Sequence, residues 1–279
     1  MYKLELGNDQ HWLLIAEDGL QPWLRKFASI LRLDSSCRKI NPKLVFTRRN
    51  MHNADGWKDH DLRSVRFWSH PKVEDIICEI EGGGGDKMNV IRMWQSLYPI
   101  YHHAQMSGGL PLHAGLIEKN HQGILLAASG NTGKTTCCRR LPPPWNALSD
   151  DEVLIVMDKR KNYSAHPFPT WSDYLWRHSH KTWNVQRCVP LRAIFFLKQA
   201  KTDKAIPLGQ AEAATFINQL ATQILSRSWI GLDNDKQRQL KKTLFDNTCR
   251  LAQVVPAFIL NFTLKGKFWE KIEKVLEHA

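Results

Sequence analysis

Positions 128–152 of this 279-residue chain read ASGNTGKTTCCRRLPPPWNALSDDE and hold its most concentrated chemistry. The phosphate-loop pattern G-x-x-x-x-G-K-[ST] is met at every fixed position except the first, where Ala128 stands in place of Gly. Gly130 and Gly133 permit the positive φ angles that turn successive backbone N–H groups inward around a phosphate. The N–H groups of Ser129, Gly130, Asn131, Thr132, Gly133 and Lys134 then face an anion. The Lys134 ammonium reaches the β- and γ-phosphates of a nucleotide, and the Thr135 hydroxyl is a ligand for Mg²⁺. A Gly-rich turn that opens a helix by chance is the plainer alternative. The match favours the phosphate because it follows an apolar run at 123–128 and precedes residues able to start a helix.

Upstream, residues 110–118 read as a strand and 119–123 as a polar turn, so that a hairpin feeds the loop. Downstream, Pro142, Pro143 and Pro144 end a short helix, and Asp150-Asp151 follows almost at once, entering an apolar strand over 152–157.

This arrangement resembles the HPr kinase/phosphorylase family and its relatives in the phosphoenolpyruvate-carboxykinase-like fold. The matching pieces are His113-Ala114-Gly115, the loop from Ser129 to Thr135, the Asp150-Asp151 pair, and Pro167-Phe168-Pro169. The last segment is similar to one in HPr-kinase-like proteins found beside peptide natural-product genes, of which the SynChlorMet cassette protein is one. Two residues depart from the pattern: Ala128, and Thr170 where many relatives carry Arg. The resemblance implies an α/β fold, with a P-loop core of mixed sheet flanked by helices and a smaller α+β N-terminal region. It implies Asp150 as the base, Asp151 as the metal-side carboxylate beside Thr135, His113 as the strand histidine next to the acidic pair, and Thr136 at the α-phosphate.

The elements that must position these residues follow from pattern. Strands are expected at 2–6, 11–16, 43–47 and 73–81, with an amphipathic helix at 22–33. Residues 50–61 read as polar and turn-rich, and Gly82 to Gly85 as a loop tip or linker, since that run lacks a Lys-Ser/Thr. Helical spacing covers 86–106, divided or kinked at Pro99; His102 and His103 have no ligand partners at metal spacing. After an aromatic and basic stretch at 159–192, a buried strand is expected at 191–197, helices at 210–228 and 236–254, a strand at 256–262 and a final helix at 268–278. The division expected is 1–85 for the N-terminal region and 86–279 for the ATP-binding domain.

Composition sets the outer bounds. A hydrophobic content of 43% supports a substantial core, and 39 basic against 27 acidic residues give a net charge of +12 that favours anionic partners. No basic run or zinc-finger spacing singles out nucleic acid. Six cysteines without C-x-x-C spacing read as reduced thiols, and the chain shows no signal peptide and no membrane-length apolar run, so a cytoplasmic protein is expected. With the resemblance, the expectation is an ATP- and Mg²⁺-dependent kinase acting on a Ser or Thr hydroxyl of a protein or peptide, such as a ribosomally made precursor peptide. A small-molecule kinase and a non-catalytic nucleotide-binding accessory protein are the alternatives, and a homo-oligomer is open. The stretch at 171–192, with Trp176, Arg177, Lys181 and Trp183, is expected to meet the acceptor.

Overall fold

A computed structural model of the chain describes residues 1–37, 42–49, 51, 54–130, 132–176 and 182–277. The first part comprises β1 (Tyr2–Glu5), β2 (His11–Ala16), α1 (Gln21–Leu31), β3 (Lys43–Thr47), β4 (Lys58–Asp61), β5 (Val65–His70) and β6 (Val73–Ile80). These strands form one mixed sheet in the order β1-β2-β3-β6-β5-β4. The parallel neighbours β2 and β3 are joined through α1, which buries Leu24, Phe27, Ala28, Ile30 and Leu31 on one face. Pro22 sits in its first turn, where a missing N–H costs nothing, and Arg32 closes it in the left-handed region at φ 54°.

The second part runs α2 (Gly85–Gln95), α3 (Tyr98–Met106), β7 (Leu110–Lys119), β8 (Gln122–Ala127), α4 (Lys134–Arg140), β9 (Asn146–Ser149), β10 (Glu152–Met157), β11 (Tyr163–Phe168) and α5 (Trp171–Trp176). It continues with β12 (Val189–Gln199), β13 (Lys204–Pro207), α6 (Gln210–Leu225), a 3₁₀ turn (Ser226–Trp229), α7 (Asn234–Val254), β14 (Ala257–Phe262) and α8 (Phe268–Leu276). Its sheet has the order β11-β10-β7-β8-β12-β14-β13; β9 also pairs with β7, and the sheet curls until β11 meets the first residues of β12. The middle strands β8, β12 and β14 are parallel and buried, which suits a sheet covered on both faces. Alternation sorts their side chains. Ile194 and Phe196 of β12 enter the larger core with α3, α6 and α7, whereas Ala193, Phe195 and Leu197 face the smaller one with α4 and α8.

The larger core is continuous from Leu4 and Trp12 in the first sheet to Leu251 in α7. A polar tie reinforces it: the Gly7 N–H donates to His166 Nε2 at 2.9 Å, and His166 Nδ1 donates to the Val185 carbonyl at 2.8 Å.

Most expected elements are present, with instructive differences. Within the turn-rich 50–61 stretch, Lys-Asp-His-Asp forms β4, a strand made by pairing with β5 and not by any apolar residue of its own. The helical stretch is divided at Ser96-Leu97, and Pro99 occupies the first turn of α3. The glycine run leads directly into α2, with Gly84 at φ 87° as its N-cap.

Candidate functional site

β7 is the strand on which the chemistry converges. On one side it pairs with β8 through a turn in which Asn120 and His121 both have positive φ, and Ala114 opposes Ala127, the last residue before the loop. On its other side Glu152 of β10 opposes His113, and Ser149 of β9 opposes Leu116. Asp150 and Asp151 therefore cross the strand break beside Ala114 and Gly115. A Cβ at Gly115 would lie 2.9 Å from Cys138 Sγ and 3.3 Å from the Ser149 carbonyl, so only glycine admits this approach.

In the loop, Gly133 takes φ 111° and caps α4. Lys134 is buried, with Nζ donating to the carbonyls of Ala128 at 2.9 Å and Ser129 at 3.3 Å. This geometry explains why Ala128 is tolerated. Its carbonyl receives the lysine, its φ is not in the left-handed region, and its methyl packs in the smaller core. Thr132 Oγ1 donates to the Ser129 carbonyl at 3.0 Å, and Gln199 at the end of β12 holds the Thr132 carbonyl at 3.2 Å. Thr135 is half-buried in the first turn of α4 and Thr136 is exposed; Asn131 lies outside the described residues. Burial lowers the pKa of the Lys134 ammonium, and the Asp151 and Asp150 carboxylates oppose that shift, so loop and acidic pair share one electrostatic field.

The two aspartates have different surroundings. Asp150 is 2% exposed and accepts a hydrogen bond from the Thr170 hydroxyl at 2.5 Å. Thr170 in turn accepts one from the Trp183 indole N–H at 3.1 Å. Asp151 is more open and accepts from His113 Nε2 at 2.8 Å, while the Gln223 amide of α6 lies 3.1 Å from His113 Nδ1. Next to them, Glu152 is buried against the Tyr101 hydroxyl, and burial pushes its carboxyl up to about 8. At neutral pH it is mostly protonated, so it places little charge beside Asp151.

Sequence reasoning brought forward Lys134, the loop, the aspartates and His113, and the structure gathers them around β7. It missed Gln223, Tyr101 and the Thr170–Trp183 link. The only available signal was Thr170 itself, already conspicuous as a departure from the family pattern. The aromatic and basic stretch divides: Trp171 and Trp183 turn inward, Trp176 is exposed with Lys87 Nζ 4.8 Å from its ring, and Arg187 is held by Glu118 at 2.6 Å. Arg177, His178, His180 and Lys181 lie outside the described residues. His103 packs edge-on against Trp12, and none of the six cysteines forms a disulfide. Among the described residues no helix is long and apolar enough to cross a membrane, and no group of three or more His, Cys, Asp or Glu could hold a metal unaided.

Two mixed sheets, the second with helices on both faces, define a mixed α/β protein whose polar chemistry collects at the β7 strand. The chain belongs to the family of the SynChlorMet cassette protein ScmC, whose family model matches residues 76–277. That span opens within β6 and takes in the entire second sheet with its helices. No curated protein matches the chain.

Proposed function

We propose that this protein is an ATP- and Mg²⁺-dependent kinase that transfers the γ-phosphate to a Ser or Thr hydroxyl of a protein or peptide, with a ribosomally synthesised precursor peptide as the favoured acceptor. The observation that supports it most is the buried Lys134 on the loop carbonyls, within the electrostatic reach of two aspartates on the neighbouring strand break. A protein that only stored a nucleotide would have no use for a buried carboxylate oriented by Thr170. The likeness of the loop, the acidic pair and the His113 strand to HPr kinases supports the same reading.

The residues fit the groups this chemistry requires. Gly130 has open space where a side chain would stand, and Thr135 and Asp151 are oxygen donors of the kind Mg²⁺ takes alongside phosphate oxygens. Bound ATP·Mg²⁺ would supply the phosphoryl group and neutralise its charge. Lys134 exchanges its loop carbonyls for phosphate oxygens. Asp150 accepts the proton of the acceptor hydroxyl, and Thr170 fixes the direction of its carboxylate. His113, with Gln223 behind it, holds Asp151 in one rotamer.

ATP with Mg²⁺ at a hundredfold excess over its Kd should stabilise the fold by about 2.7 kcal/mol, read as a rise in melting temperature. Lys134→Ala should abolish most of that rise; an undiminished shift would put the nucleotide elsewhere. Asp151→Asn should keep the rise but demand more Mg²⁺ to reach it, and an unchanged Mg²⁺ titration would remove Asp151 from the metal. Transfer itself is tested by mass spectrometry of candidate peptides incubated with ATP and Mg²⁺. Intact ATP binding with no mass gain on any peptide encoded nearby would sink the peptide-kinase reading.

A further inference from the structure

The helix that presents Tyr101 to Glu152 presents its next side chains to a separate cavity. Tyr98, Pro99, His102 and Met106 of α3 form one wall of a space of about 470 Å³. Strands β5 and β6 of the first sheet border it through Phe67 and Ile76, and Trp229 and Leu240 border it from the 3₁₀ turn and α7. It lies at the seam between the first sheet and the helices of the second part, a common position for a ligand cavity, and its volume is in the range that encloses a small molecule.

Two of the polar groups on its wall are already committed. The Tyr98 hydroxyl donates to the Ile224 carbonyl at 3.4 Å, and Gln105 Nε2 donates to the Leu240 carbonyl at 2.8 Å. The interior therefore offers apolar surface, much of it aromatic. Charge enters only from the lining's outer residues. Lys58 and Lys236 are exposed; Lys58 has no ion pair among the described residues, whereas Lys236 Nζ lies 3.1 Å from Asp233, an exposed pair that a ligand's anionic group would have to compete with. The one carboxylate of the lining, Asp59, lies 3.7 Å from the Arg66 guanidinium. Burial holds the His60 and His102 imidazoles below their ordinary pKa, so near pH 7 the lysines carry the positive charge.

We propose that this cavity is a second, small-molecule site whose ligand is an aromatic or aliphatic acid. The apolar body lies against Phe67, Tyr98 and Trp229, and the anionic group points to Lys58 and Lys236. The site is distinct from the loop and the aspartates, and the proposal does not rest on phosphoryl transfer.

The test uses the full chain and two probes of similar shape: 1-anilinonaphthalene-8-sulfonate, an aromatic anion, and N-phenyl-1-naphthylamine, its uncharged counterpart. Both should bind saturably, with energy transfer from tryptophan. Lys58→Glu with Lys236→Glu, both exposed positions, should weaken the anion about tenfold and spare the neutral probe. Ser69→Trp fills the cavity from an exposed strand position and should abolish both while the melting temperature holds. Displacement of the anion by ATP·Mg²⁺ would overturn the proposal by assigning the probe to the loop. So would anion binding that ignores the charge reversal, or binding of either probe that survives Ser69→Trp.

Discussion

Asp150→Asn is expected to bind ATP·Mg²⁺ as the wild type does and to transfer phosphate roughly 10²–10⁴-fold more slowly, the range a positioned general base contributes. Asparagine preserves the size of the side chain and leaves an oxygen to receive the Thr170 hydroxyl, so the loss falls on proton acceptance and not on folding. Thr170→Val should slow transfer by a smaller factor, because the carboxylate remains but its direction is freed. Thr170→Ser should restore the rate. Single-turnover transfer, with nucleotide affinity measured alongside, separates these effects. A wild-type rate in Asp150→Asn would mean that the proton leaves by another route.

The second large effect concerns stability. Acidification from pH 7 to pH 5 is expected to cost about 2 kcal/mol through His166 alone. Its imidazole is 1% exposed, and burial lowers its pKa from 6.5 to about 4. The neutral ring donates to Val185 and accepts from Gly7, a pattern that protonation of Nε2 breaks. A folded-state pKa below the unfolded one means that the unfolded chain takes the proton first. Stability from this group is therefore complete above about pH 6.5 and drains away as pH falls towards 4. Urea titrations at pH 7 and pH 5 should show His166→Gln less stable than wild type at pH 7, yet losing about 2 kcal/mol less on acidification. Parallel losses in the two proteins would show that His166 is not the neutral tie between the first sheet and β11.

Legibility in the sequence followed local information. β2, β3 and β10 have contiguous apolar residues bounded by polar breaks, and α6, α7 and α8 carry a helical period, so each could be read from its own residues. β4, with Lys-Asp-His-Asp, and β13, with Lys-Ala-Ile-Pro, are strands only because a neighbour pairs with them. β11 was hidden for another reason: His166 and Pro167 disguise it, since proline removes a ladder donor and argues against a strand. The same divide runs through the site. Lys134, the loop glycines and the aspartates lie at fixed spacing within one stretch, whereas Gln223 and Trp183 arrive from distant parts of the chain and have no residue type that announces them.

The outer strands carry a consequence for how this molecule meets other chains. β1 and β4 end the first sheet and β13 ends the second; each has four residues, while β11 is covered by the start of β12. β4 is charged or imidazole-bearing throughout, and Pro207 of β13 has no N–H to offer. Among the described residues these margins give an incoming strand little backbone to extend, which opposes edge-to-edge aggregation and strand exchange. The same margins disfavour binding an extended peptide by adding a strand to either sheet. Self-association through strand pairing is opposed for the same reason.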